Sequence, residues 1–91
     1  PLDTTQADAL IPMLEARLQE TPDNLHYWFL LARLASEKND YAKAASAYEE
    51  VLKVDSTSGM VKAELAQAIF LRDKNQITDR VGQLAQEALD Q

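Results

Sequence analysis

An all-α fold, built from helix–turn–helix units laid side by side, is what this 91-residue sequence predicts. Three observations lead there. Apolar residues recur at the 3.6-residue period of a helix rather than the two-residue period of a strand. Two glycines and three prolines leave little turn material for a series of β-hairpins. The stretch Leu25–Ser58 reads as one 34-residue unit, and the segments on either side look like partial copies of it.

Taken in order, residues 1–21 match the second helix of such a unit. A shift of 34 residues places Leu10 under Ala44, Leu14 under Tyr48 and Leu18 under Leu52. Leu10, Leu14, Arg17 and Leu18 form the expected inward stripe, with the aliphatic stem of Arg17 lying along it. Pro12 removes a backbone donor and crowds the preceding turn at a cost of about 3 kcal/mol, so a kink near Ile11 or a restart at Pro12 is expected. Thr21-Pro22-Asp23-Asn24 is a turn, and Asp23 or Asn24 caps the next helix.

The full unit occupies residues 25–58. Trp28, Leu31, Ala32 and Ala35 share one helical face. After the turn Lys38-Asn39-Asp40, with Asp40 as N-cap, a second stripe runs through Tyr41, Ala44, Ala45, Tyr48, Val51 and Leu52. The small Ala32 and Ala44 let the two backbones approach, and Trp28 and Tyr48 fill the space around them.

Residues 59–91 repeat the unit forward. Leu31 maps onto Leu65, Ala32 onto Ala66 and Ala35 onto Ile69, with Ser58 as N-cap. A three-residue insertion widens the turn over residues 72–77. Beyond it Ala44 maps onto Val81, Tyr48 onto Ala85, Val51 onto Ala88 and Leu52 onto Leu89, with Thr78 or Asp79 as cap. The expectation is one domain, 1–91, of five antiparallel helices: half a unit, one full unit and one unit with a widened turn. The outer face of the last helix should be partly apolar, packing on further sequence or on a second copy through Leu84 and Leu89.

The order large, large, small on one helix and small, aromatic, apolar on the next resembles the tetratricopeptide (TPR) repeat. Trp28, Leu31, Ala32, Ala44, Tyr48 and Leu52 carry the resemblance, with Asp40-Tyr41 at the turn. Ala35, where the family usually has an aromatic, and Ser56, where it usually has proline, depart from it. The fold this resemblance implies is a solenoid of antiparallel helix pairs.

Composition narrows the function. A net charge of −6 argues against nucleic acid, whose phosphates need Lys and Arg. Without cysteine there is neither disulfide nor thiolate chemistry, and redox logic does not identify the compartment. The longest uncharged run, residues 25–32, is too short to span a bilayer, so this stretch itself does not insert. A chain opening on Pro1 rather than Met is taken as a fragment, whose upstream anchor would lie elsewhere.

Catalysis is not expected, nor a cofactor or metal. The single histidine, His26, has at most Asp23 as a companion, and two ligands do not make a metal site. Glu15 and Glu49-Glu50 fit a solvated helix face rather than a catalytic pair. Gly59 and Gly82 stand alone, without a phosphate loop.

Binding is better marked. In a solenoid of helix pairs the first helices line the concave face. Their positions not used by the core are His26, Phe29, Arg33, Ser36 and Glu37, then Met60, Ala63, Gln67 and Phe70. Phe29 and Phe70, apolar outside the packing stripe, offer anchors, and Arg33 offers a cation for a carboxylate. Met60 suits an adaptable surface. TPR proteins that clamp acidic chaperone tails carry Lys and Asn here; Phe29, Ala63 and Gln67 do not match that set.

A narrower likeness rests on Met13-Leu14-Glu15-Ala16-Arg17-Leu18, Thr21-Pro22-Asp23-Asn24, Trp28-Phe29-Leu30-Leu31-Ala32-Arg33 and the ending Glu87-Ala88-Leu89-Asp90. These resemble the C-terminal TPR region of bacterial cytochrome c maturation proteins, the haem-lyase accessory subunits that include those serving nitrite reductase. The resemblance implies a chaperone-like domain in the periplasm, carried by a membrane-anchored protein. It would hold the C-terminal helix of an apocytochrome c, or haem lyase subunits, and bind neither haem nor metal itself. The alternatives are a structural module that self-associates as a homodimer or docks within a larger assembly, and a cytoplasmic location.

Overall fold

The computed structural model describes residues 4–73 and 79–90, which form five helices and, among those residues, no strand. They are α1 (Thr4–Glu20), α2 (Leu25–Glu37), α3 (Tyr41–Val54), α4 (Gly59–Arg72) and α5 (Asp79–Leu89). Each packs on its neighbour in sequence: α1 on α2, α2 on α3, α3 on α4 and α4 on α5. The result is an all-α helical repeat, in which apolar faces are buried mainly against adjacent helices.

The helix boundaries arise from local chemistry. The Asn24 side chain accepts the Tyr27 backbone N–H at 3.2 Å, Asp40 accepts that of Lys43 at 3.2 Å, and Ser58 accepts that of Val61 at 3.3 Å. Of the two candidate caps before α2, the chain uses Asn24. Of those before α5, Thr78 lies outside the described residues and Asp79 is the first residue of the helix itself. Most of the widened turn, residues 74–77, also lies outside the described residues.

The tight turn between α2 and α3 depends on Asn39. Its φ of 61° is left-handed, a conformation that asparagine tolerates better than most L residues. From there the Asn39 N–H donates to the Ser36 carbonyl and the Asp40 N–H donates to Ala35, closing the end of α2 in a Schellman pattern. Tyr41 Oη donates to Asn39 Oδ1 at 2.8 Å, and Asp40 then caps α3. Three residues thus end one helix and start the next.

Two expectations for α1 are corrected. The helix runs unbroken through Pro12 from Thr4 to Glu20 rather than restarting there. Pro12 and Asp8, whose carbonyl loses its usual donor, are both exposed, so the unpaired group stands on the solvent side. The buried stripe is Ala7, Ile11, Leu14 and Leu18; Leu10 is half-buried and Arg17 is exposed. The buried face is rotated away from Leu10 and Arg17 toward Ala7 and Ile11, which leaves the charged head of Arg17 in water.

The core comes mainly from α2, α3 and α4. Leu34, Leu65 and Tyr48 are wholly buried, and Ala32, Ala35, Ala44, Ala45 and Ala47 bring the backbones together between them. Trp28, expected in the core, is only half-buried; its indole Nε1–H donates to the Pro22 carbonyl at 2.7 Å. Burial repeats with the 34-residue period: Leu31 with Leu65, Ala32 with Ala66, Ala35 with Ile69 are buried in both copies.

Ion pairs repeat in the same register. Lys43 on α3 reaches Glu15 on α1 at 3.2 Å, and Arg80 on α5 reaches Glu49 on α3 at 2.7 Å. Glu49 lies 34 residues after Glu15 and Arg80 lies 37 after Lys43, the offset that the three-residue insertion requires. Lys38 pairs with Asp8 beside the first bridge. All are exposed and worth at most about 1 kcal/mol each, so they mark the repeat more than they stabilise it.

The left-handed backbone at Asn39 gives a direct test of this turn. Asn39→Gly should leave stability within about 0.5 kcal/mol, while Asn39→Val should lower it by roughly 1–2 kcal/mol in urea unfolding, because a β-branched residue is strained at positive φ.

Candidate functional site

The candidate residues on α2, His26, Phe29, Arg33 and Glu37, succeed one another at three- and four-residue spacing along one side of that helix. His26, Arg33 and Glu37 are exposed. On α4, Met60, Ala63 and Gln67 are exposed and Phe70 is half-buried. Phe29 and Phe70 do not stand free as apolar anchors. Both are half-buried and pack against the core, so part of each ring is already used to cover it.

Around Phe29 the structure assembles a cluster. Its ring meets the edge of Tyr48 with centroids 6.0 Å apart and planes at 69°, a T-shaped contact. The Arg33 guanidinium lies over the Phe29 ring, 5.8 Å from its centroid. The Tyr48 hydroxyl donates to Glu64 Oε2 on α4 at 3.4 Å. Three helices therefore meet at one point: Phe29 and Arg33 from α2, Tyr48 from α3 and Glu64 from α4.

Sequence patterning misses Tyr48 and Glu64 as members of this site, because the stripe rule assigns Tyr48 wholly to the core. The available signal is chemical. A buried tyrosine needs a partner for its hydroxyl, and the next helix offers a carboxylate. Burial pushes the Tyr48 phenol from its ordinary 10.0 up to about 12, and the nearby Glu64 carboxylate adds to this. The Arg33 charge and the Ser36 hydroxyl pull it partly back. Arg33 thus acts on a phenol whose hydroxyl is bonded to Glu64.

Arg33 differs from most basic side chains here. Lys38, Lys43, Lys53, Lys62, Arg72 and Arg80 each pair with an acid. Among the described residues Arg33 has no ion pair and is held by Phe29 instead. His26, Glu37, Gln67 and Phe70 are not joined to the cluster by any contact of that kind.

Two open surfaces lie elsewhere. Between α1 and α3 a groove floored by Trp28 and Leu31 carries the Lys43–Glu15 pair at its rim. Met60 and Ala63 belong to the second. Together with α5 they line an apolar cavity of about 540 Å³ at the far end of the helix stack. Leu84, expected on an outer face with Leu89, is 1% exposed and part of the core, whereas Leu89 is 80% exposed. No group of three His, Cys, Asp or Glu among the described residues is placed to hold a metal ion. No helix among them is long and apolar enough to cross a membrane.

No protein-family model matches the chain. It is similar to the formate-dependent nitrite reductase complex bifunctional subunit NrfFG of Haemophilus influenzae. The two are 26% identical over 87 residues, 96% of this chain and 23% of that subunit. The chain thus spans about a quarter of the relative that it matches, and the likeness runs through all five helices.

The raised Tyr48 phenol carries a pH signature. A group whose folded pKa exceeds its unfolded one contributes its full stability below the unfolded value and loses it as pH rises through the folded value. Between about pH 10 and 12 the wild-type protein should therefore lose roughly 2–3 kcal/mol more than Tyr48→Phe, read as the difference between their urea midpoints along a pH series.

Proposed function

We propose that this chain is a non-catalytic TPR scaffold that holds a peptide or helix of a partner protein against the face of α2 and α4. The observation that carries the proposal is Arg33, an exposed guanidinium without an acid partner among the described residues, fixed over an aromatic ring in a chain of net charge −6. Such a cation is available for a carboxylate, and its orientation by Phe29 and Tyr48 reduces the entropy lost on engaging one. The similar H. influenzae protein is by its name a subunit of a complex, which accords with a protein partner.

The finer reading is a role in cytochrome c maturation. It is supported by the likeness of the runs Met13–Leu18, Thr21–Asn24 and Trp28–Arg33 to haem-lyase accessory proteins, and by the nitrite reductase complex in the relative's name. In this reading the domain belongs to the periplasmic part of a membrane-anchored bacterial protein. It presents the C-terminal helix of an apocytochrome c, or haem lyase subunits, to the ligation machinery, and binds no cofactor itself.

The test is an NMR titration of the labelled domain with peptides from apocytochrome c C-termini, beside a scrambled control. Saturable shifts should cluster on Phe29, Arg33 and Glu64, and Arg33→Glu should weaken binding at least tenfold, or about 1.4 kcal/mol, with its thermal melt unchanged. Equal binding of the scrambled peptide, or unaltered affinity in Arg33→Glu, would sink the proposal.

A further inference from the structure

Beside the groove between α1 and α3 opens a smaller cavity of about 230 Å³, lined by Glu15, Leu18 and Gln19 of α1 and by Trp28 and Leu31 of α2. Pockets that enclose a whole small molecule run to roughly 300–1,000 Å³, so this one suits a single side chain. Leu18 and Leu31 are buried, whereas the half-buried Trp28 ring and the exposed Glu15 and Gln19 are the groups an occupant would meet. The indole Nε1–H is already bonded to the Pro22 carbonyl at 2.7 Å, so Trp28 offers the cavity only the carbon surface of its ring.

Glu15 supplies the charge. Lys43 Nζ donates to its Oε2 at 3.2 Å, and among the described residues no donor meets Oε1. An aromatic ring beside a carboxylate with an oxygen to spare selects a cation that can both stack and donate several N–H bonds. That is a guanidinium rather than an ammonium. The repeat points the same way. Glu49, the counterpart of Glu15 one period on, holds the guanidinium of Arg80 at 2.7 Å. Lys62, the counterpart of Trp28, is itself a cation, buried and paired with Glu87 at 3.1 Å. The second unit thus carries its own charge at this place, while the first carries a ring with no cation over it among the described residues.

We infer that this cavity is a pocket for one arginine side chain of a partner protein, its guanidinium stacked on Trp28 and donating to Glu15 Oε1 and to the side-chain carbonyl of Gln19. The arginines of this chain are engaged elsewhere. Arg33 lies over Phe29, Arg72 pairs with Asp73 and Arg80 with Glu49. Arg17 stands on α1 itself, two residues from Glu15 and therefore on a different side of the helix. A net charge of −6 favours the approach of a basic segment from outside. The pocket takes a cation where the Arg33 cluster takes an anion, and it does not depend on the reading of that cluster.

Trp28 is the sole tryptophan of the chain, so its fluorescence reads the pocket directly. The probes are capped alanine peptides that differ only in their central residue, which is arginine, lysine or the uncharged isostere citrulline. The arginine peptide should give a saturable change, with the lysine peptide roughly threefold and the citrulline peptide roughly tenfold weaker. Glu15→Gln should weaken the arginine peptide roughly tenfold and leave the melt unchanged. Lys43→Gln, which removes a competing cation from the same carboxylate, should tighten it about threefold. Trp28→Leu, followed by NMR shifts at Gln19, should lose the preference for arginine over lysine, and Glu15→Gln carries the test should that variant fold poorly. Arg33→Glu should alter the affinity by no more than about twofold, which separates this pocket from the Arg33 cluster. Equal binding of the citrulline peptide, unaltered affinity in Glu15→Gln, or no saturable change with the arginine peptide would overturn the inference. So would a dimer in sedimentation that Glu15→Gln disperses, since the arginine would then come from a second copy.

Discussion

The buried ring of Tyr48 is the contact on which the middle of this domain depends. A stack of helices has no central core; each helix can bury its apolar side only on its neighbours. In so small a chain one wholly buried aromatic among alanines has to close the space between three helices. Tyr48 does so with its ring edge on Phe29 of α2 and its hydroxyl on Glu64 of α4. The alanines at 32, 44, 45 and 47 allow the approach, and the phenol places its only donor on Glu64.

The same contact organises the candidate binding face. Phe29 is held by Tyr48, and Arg33 is held by Phe29, so a core residue sets the position of an exposed cation. Core and surface are coupled here because helical repeats are one helix thick on either side of α3. A partner that engages Arg33 meets a side chain whose direction is already fixed, and pre-organisation of that kind contributes affinity without additional contact area.

Much of the fold was legible in the sequence because its signals are local. The caps at Asn24, Asp40 and Ser58 each need only a short polar side chain three residues ahead of a helical N–H. The stripes through Leu31, Leu65 and Val81 emerge from periodicity alone. The features that were not legible depend on tertiary surroundings. Pro12 continues α1 from an exposed position, and the buried face passes through Ile11 rather than Arg17. Trp28 moves to the edge because its indole finds the Pro22 carbonyl. Leu84 turns inward while Leu89 stays out, a distinction that the spacing of α5 alone does not make. At the site, the stripe rule separates core from surface and so cannot show Tyr48 serving both.

The most direct measurement is native-state hydrogen exchange, resolved by helix. If Tyr48 ties α2, α3 and α4 into one unit, their central amides exchange only through global unfolding, while those of α1 and α5, each packed on one neighbour, open at lower free energy. Protection in α1 or α5 equal to that of α3, or α2 and α4 opening independently of each other, would contradict the view that this single contact holds the middle of the fold and its candidate binding face together.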